Sequence, residues 1–345
     1  MAVTLMDLAK QSKTPLQAFI IQNLLRDPSG IMPLIPFQKV DVLSTLVTRW
    51  KVLPSVSYRA VNGAYSESSG ATDQVTEGLY ALGGDILFDR VFDMVGNTIQ
   101  DIRKTQTLMK IKAIQMEFIN ALVNGDHATN INMPEGLWKR INSYLPSRQN
   151  LSIGSAFDAT SSNGNTLKLI YYMHQLIDLA GLRQVPYLEQ NGKPTALRPG
   201  VILCNRDFRL AFEKALRNVS QLIDLTQDNY GRFWQTFAGV PLIDVGLKPD
   251  QSTEIIANNY GGGTNETRVY CVRFSQDDGA DGGFTGLNLN SPDLYDPVAA
   301  GEVGASVTQG TPAKSLRADW WIGFAGYGSY YAAALTGVKS PTSWT

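Results

Sequence analysis

Apolar positions along the chain follow several different rhythms. Between residues 97 and 124 they recur at helical spacing, at Ile99, Ile102, Met109, Ala113, Met116, Ile119 and Val123. Charged residues such as Asp101, Lys104, Lys112 and Glu117 fall mostly between them, which predicts one amphipathic helix. Asn97 is placed to cap its start, and Gly125 with Asp126 marks its stop. At the helical rise such a rod is about 40 Å long, beyond the usual helix, and reads as a structural spine. Further on, "TLKLIYYMHQLIDLAG" (166–181) and "RDFRLAFEKALRNV" (206–219) read as helices on either side of "PGVILCN", a buried strand. "TFAGVPLIDVGL" and "VYCVRF" are two more strands, and the apolar, aromatic segment "LRADWWIGFAGYGSYYAAALTGV" closes the chain. The sum is a mixed α+β core with a strand-rich end and no repeat at a solenoid period.

Two stretches carry apolar residues without any core to bury them. "TPLQAFIIQNLLRD" is a short helix in which Thr14 caps, Pro15 suits the first turn, and Phe19, Ile20, Leu24 and Leu25 line one side. "PSGIMPLIPF" then places Pro28, Pro33 and Pro36 close together and enforces an extended path. Residues 45 to 92 predict a long two-stranded excursion. Val47, Trp50, Val52, Val56, Tyr58 and Val61 run outward, Pro54 interrupts the ladder, and "GLYALGGDILFDRVF" is the returning strand. The intervening tip, "NGAYSESSGATDQVTE", is polar apart from Tyr65 and Val75. An isolated two-stranded ribbon is marginal in water, so both extensions need another surface to lie on.

Composition narrows the function classes. The 345 residues are 43% hydrophobic and 18% charged, enough for a substantial core, and the net charge of -1 offers no basic field for gripping nucleic acid. Asp7, Lys10 and Lys13 interrupt any apolar leader, and no run reaches the roughly 20 apolar residues of a membrane span, so a soluble intracellular product is expected. Cys204 and Cys271 each sit in an apolar strand pattern and read as buried reduced thiols. His127 reads as a solvated loop residue and His174 as a packing residue, neither with a partner at metal spacing. Gly261 to Gly263 lack the Gly-Lys-Ser/Thr ending of a phosphate loop. Asp277, Asp281 and Gly282 match calcium-loop positions, but Gly279 and Asn288 stand where ligands are wanted, so a turn is the better reading. Gly-x-Ser-x-Gly is absent, and Trp320 and Trp321, which could stack on sugar, have apolar neighbours that favour core or subunit contact. No enzyme, cofactor or metal is expected.

The order of these parts, an N-terminal arm, a long hairpin, a spine helix and an α+β domain closed by a final strand, resembles the major capsid proteins of tailed double-stranded-DNA bacteriophages, the Hong Kong 97 fold. "FAGVPLIDVGL" resembles that family's Gly-Val-Pro strand of the axial domain, and "VYCVRF" with "GGFTGL" resembles the strand and turn that follow. "PGVILCNRDFRLAFEKAL" is similar to the strand and helix just before. The resemblance implies an N-arm (1–44), an extended loop (45–95), a peripheral domain with the spine helix (96–164), an axial domain (165–315) and a return to the peripheral domain (316–345).

It further implies a head shell of pentamers and hexamers, located in the virion after assembly in the host cytoplasm. Portal, scaffold and possible decoration proteins would be partners, contact with packaged DNA would be non-specific, and no membrane is involved. The absence of a long segment before the arm implies a separate scaffold or none. Lys51 lies in the loop's first strand and not near its tip, so the crosslinking reaction of some relatives is not carried over. The candidate subunit-contact residues are Phe19 and Leu24 in the arm and Trp50, Arg59, Tyr65, Glu67, Asp73 and Glu77 in the loop; Tyr65 would supply apolar contact while Glu67, Asp73 and Glu77 meet basic groups on a neighbour. Two alternatives stand beside this reading: an encapsulin-type nanocompartment shell, and a carbohydrate-binding or hydrolytic surface protein using Trp320 and Trp321.

Overall fold

The computed structural model describes residues 30–89, 98–182, 200–219, 224–227, 233–260, 265–275, 282–289, 292–295 and 313–339. The strands are β1 (Phe37–Lys39), β2 (Ser44–Val52), β3 (Ala71–Gly78), β4 (Tyr80–Asp89), β5 (Asn150–Phe157), β6 (Gly200–Cys204), β7 (Asp224–Gln227), β8 (Phe233–Phe237), β9 (Val240–Asp244), β10 (Glu266–Arg273), β11 (Phe284–Asn288), β12 (Asp293–Tyr295), β13 (Ala313–Gly326) and β14 (Ala332–Lys339). The helices are α1 (Thr98–Asn124), α2 (Leu137–Ser143), α3 (Asn163–Leu179) and α4 (Arg206–Asn218). No described helix is long and apolar enough to cross a membrane.

A seven-stranded sheet runs β5-β14-β10-β6-β9-β8-β7. Its central strands are buried on both faces, which is why "GVILC" reads as an unbroken apolar run. Alternation divides that run in two. Ile202, Cys204, Val269, Cys271, Ala333 and Leu335 join Leu169, Met173 and Leu176 of α3 and Phe208 and Phe212 of α4 in one core. Val201, Leu203, Tyr270, Val272, Ala332 and Ala334 belong instead to a core with Phe118 and Leu122 of α1 and Leu137 and Ile141 of α2. Both covering helices start on a side-chain cap: Ser162 accepts from Asn165 N, and Asn205 accepts from Phe208 N at 2.9 Å. Ala238 and Gly239, at φ 51° and 81°, form the two-residue turn joining β8 to β9, which needs positive φ at both positions.

The second sheet has the order β1-β11-β13-β12, with β4 also paired along β13. Its core is aromatic. Trp320 stacks on Phe118 of the spine helix at 5.4 Å between ring centroids and lies 5.7 Å from Phe37, while its Nε1 donates to Asn288 Oδ1. Ile31, Met32, Ile35 and Phe37 are buried in the same core. The proline-rich ribbon therefore rests, in its described part, on its own subunit. Trp320 is core, as its apolar neighbours suggest, and is withdrawn from any sugar platform.

Three expectations need correction. The buried side of α1 carries Thr107, Ile111, Ile114, Gln115, Phe118, Ala121 and Leu122 together with the expected Ile119 and Val123, whereas the expected Met109 is exposed and Ala113 and Met116 are half-buried. Apolar residues occur on more than one side of this helix, and the packing of β4, β13 and α2 selects which of them are buried. The closing segment is two strands that part company: β13 pairs β4 beside α1, while β14 sits between β5 and β10 in the seven-stranded sheet. The returning strand of the hairpin is Ala71–Gly78, taken from the polar stretch, and 80–89 has already passed into the second sheet. Asn97, like Phe19 and Leu24, lies outside the described residues.

Candidate functional site

Residues 44–78 form a ribbon of β2 and β3 that is fixed at one end and free at the other. At the root, Val47 and Leu79 are buried with Leu287, Ala325 and Tyr327, and Leu79 N donates to Leu43 O at 2.8 Å. Beside them Glu77 of β3 receives both terminal nitrogens of Arg140, Nη1 to Oε1 at 2.6 Å and Nη2 to Oε2 at 2.7 Å. Arg140 comes from α2 and is 0% exposed, and Glu77 is 4% exposed. The guanidinium also donates to Phe324 O of β13 at 2.9 Å and, through Nε, to Glu135 O at 2.8 Å. Burial alone would lower the Arg140 pKa, but the Glu77 charge and its hydrogen bonds override this and hold it above its ordinary value. One buried ion pair thus ties hairpin, α2 and β13 together.

Glu77 is accordingly not a rim contact reaching for a neighbour. Its carboxylate is consumed inside its own subunit, because the strand that carries it is the docked half of the ribbon and not the tip.

Past β2 and β3 the chain continues as a tip, residues 53–70, in which every residue is exposed. Val56, Tyr58 and Val61 are 94%, 107% and 91% exposed, and Leu53 and Tyr65 are also largely open. The tip is nonetheless ordered by local bonds. Gly63 N donates to Ala60 O at 3.0 Å with Asn62 at φ 66°, a turn that needs a left-handed third residue. Arg59 Nη1 donates to Gly63 O at 3.2 Å while its guanidinium lies 5.1 Å over the Tyr65 ring, and Ser68 Oγ donates to Ser55 O at 2.8 Å. Arg59, Tyr65 and Glu67 are therefore together on the tip, and Asp73 is exposed on β3 opposite Arg49. Trp50 is placed opposite Thr72, and its side chain lies outside the described residues.

Val56, Tyr58 and Val61 were not among the subunit-contact candidates, although "VSYRAV" beyond Pro54 contains their signal: apolar residues continuing past the point where the ladder stops. The α3 surface adds Leu167 and Tyr171, exposed one turn apart on the side away from the core.

Other candidate chemistry does not converge. His127 is not a solvated bystander: its Nδ1 lies 3.2 Å from Tyr80 Oη and the two rings pack at 5.5 Å. His174 packs on Phe237 at 4.7 Å, as a packing residue should. Cys204 and Cys271 are buried and unpaired with each other, and burial raises both thiols well above their ordinary pKa. Among the described residues no group of three or more His, Cys, Asp or Glu could hold a metal ion. Asp277, Asp281 and Gly261 to Gly263 lie outside the described residues.

No family model matches the chain, and no curated protein matches it in sequence. Solved structures do match in fold. The chain is similar to the holo-SrpI encapsulin complex from Synechococcus elongatus, with a TM-score of 0.59, 13% identity, and coverage of 100% of this chain and 99% of that one. It is similar to the capsid of a native GTA particle, with a TM-score of 0.52 at 13% identity and 91% of both chains covered. A chain of Mycobacterium phage Bobi gives a TM-score of 0.52 at 12% identity, covering 93% of this chain and 91% of that one. The chain has the α+β Hong Kong 97 fold, which it shares with an encapsulin and with a GTA capsid chain.

Proposed function

We propose that this chain is a shell-forming subunit, and specifically the major capsid protein of a tailed-phage-type particle enclosing double-stranded DNA. The observation that carries the reading is the hairpin: a root locked by a buried ion pair, and a tip whose Val56, Tyr58 and Val61 are buried by nothing among the described residues. A ribbon from Val47 to Asn62 reaches up to about 50 Å of contour, enough to lie across a neighbour of the same size. Each tip contributes little alone, but repetition at every subunit of a closed shell multiplies it. On this reading the subunit-contact residues are Val56, Tyr58, Val61, Arg59, Tyr65, Glu67 and Asp73. Portal, scaffold or decoration proteins and sequence-indifferent contact with DNA follow from the same assignment, as do a virion location and assembly in the host cytoplasm.

The test is to replace residues 55–68 by a short Gly-Ser turn. The unassembled subunit should keep its thermal unfolding midpoint, while closed particles should vanish from negative-stain fields and from sedimentation profiles. A destabilised subunit that still forms shells would mean that the tip serves its own chain. One observation favours a second reading: the encapsulin likeness has the higher TM-score and spans both chains end to end. The contents of purified particles separate the two, nucleic acid for a virus head and a foreign protein for a nanocompartment.

A further inference from the structure

Four Asn-Gly pairs occur in the chain, at 62–63, 124–125, 163–164 and 191–192. Glycine places no side chain in the way of its own amide nitrogen, so such pairs are open to attack of that nitrogen on the preceding carboxamide. The fold treats them differently. Asn124 donates through Nδ2 to Ile255 O at 2.7 Å and to Asn120 Oδ1 at 3.2 Å, and Gly125 N is held by Ala121 O at 3.0 Å. Asn163 is the first residue of α3, and the helical backbone keeps the Gly164 amide turned from its carboxamide. The fourth pair lies outside the described residues. Asn62 stands at the end of the tip, exposed, and among the described residues its carboxamide has no hydrogen-bond partner. Only the Gly63 N–H···O Ala60 bond of an exposed turn restrains the attacking nitrogen.

We infer that Asn62–Gly63 is a self-modification site of the unassembled subunit, which assembly closes; the closing rests on the shell reading above. The Gly63 amide nitrogen bonds to Asn62 Cγ, the Cγ–Nδ2 bond breaks, and the amide proton leaves with the nitrogen as ammonia. Water then opens the cyclic imide at either carbonyl, to aspartate or to isoaspartate. No oxidant or cofactor is consumed. The product places a carboxylate at the tip, and isoaspartate also lengthens the backbone by one carbon. The turn that aims Arg59 at Gly63 O and over Tyr65 is then lost, so subunits left unassembled age out of competence.

The experiment incubates the purified full-length subunit at neutral and mildly alkaline pH and maps its peptides by mass spectrometry. Replacement of NH2 by OH is scored at each pair, and fragmentation distinguishes isoaspartate. In the folded chain Asn62 should convert at least about tenfold faster than Asn124 or Asn163, since side-chain hydrogen bonds at Asn124 and the helical backbone at Asn163 raise the barrier at those two. Urea should bring the three rates together, and Gly63→Ala should slow Asn62 at least about tenfold. The added Cβ meets Ala60 O at 3.2 Å in an exposed turn, so the variant should fold. Equal rates at the three sites in the folded subunit would overturn the assignment. In assembled particles conversion of Asn62 should fall at least about tenfold, and an unchanged rate there would overturn the closing step. If no particles form, the shell reading and the closing step fail together, while conversion in the subunit still decides the site.

Discussion

The Glu77–Arg140 pair offers a measurement in which two bidentate arginine–carboxylate pairs of one chain differ in burial. Among the described residues a second bidentate pair joins Arg317 to Asp85, side-on through Nε and Nη2 at 2.6 and 2.9 Å, beside the end-on fork of Arg140 Nη1 and Nη2 on Glu77 at 2.6 and 2.7 Å. Its side chains are 30% and 44% exposed, against 0% and 5% for the buried pair. Water screens the first and not the second. Asp85→Asn should therefore cost about 0–1 kcal/mol. Glu77→Gln leaves a guanidinium in the interior without its counter-charge, and should cost about 3–5 kcal/mol. Against a total stability of about 5–15 kcal/mol, that is a large fraction. Urea unfolding of the unassembled subunits gives both numbers as a shift in midpoint at constant slope. A cost for Glu77→Gln no larger than that for Asp85→Asn would mean that water reaches Arg140 in solution. The hairpin root would then not be docked as described.

Three further outcomes test local features. Cys204 and Cys271 should not react with a thiol reagent in the native subunit and should both react in denaturant, because burial keeps the thiolate from forming. The Asp250 carboxylate accepts from the Thr253 hydroxyl and from the amides of Thr253 and Ser252, and these bonds hold its pKa at about 2. Because the folded value is depressed, this loop's stabilisation is complete above about pH 4 and is lost as pH falls to about 2; the Ser252 and Thr253 amide resonances should shift with the lower midpoint. Gly337→Ala should cost at least about 2 kcal/mol in urea unfolding, since φ there is 84° and the added Cβ would stand 1.8 Å from Gly154 O.

What the sequence made legible is what local physics decides. The helices at 163–179 and 206–218 carry their apolar stripes in their own residues, and "GVILC" announces a strand buried on two faces. The errors lie where a partner distant in sequence decides. In α1 the row through Met109 and Met116 was as regular as the row through Ile111, Ile114, Phe118 and Leu122, and the packing of β4, β13 and α2 chooses between them. "ATDQVTEG" has few apolar residues, so nothing local makes it a strand, and its pairing to β2 supplies the reason. Glu77 looked like a surface carboxylate because Arg140 stands 63 residues away.

The hairpin distributes its chemistry in the reverse of what a free-standing subunit would favour. Charge is buried at the root, where apolar side chains would serve stability as well or better, and apolar side chains are exposed at the tip. For the root, the double substitution Glu77→Leu with Arg140→Met separates stability from direction. It should recover most of the 3–5 kcal/mol lost in the single variants, because no unpaired charge remains. Fork geometry fixes the ribbon's angle through two parallel bonds and a third to Phe324 O, and a Leu–Met contact sets no such angle. A root that is equally stable but less directed would carry the tip off its target over a reach of tens of ångströms. The double variant should therefore unfold like the wild type yet give fewer closed particles by sedimentation. Wild-type particle yield at wild-type stability would show that the ion pair has no part in aiming the tip.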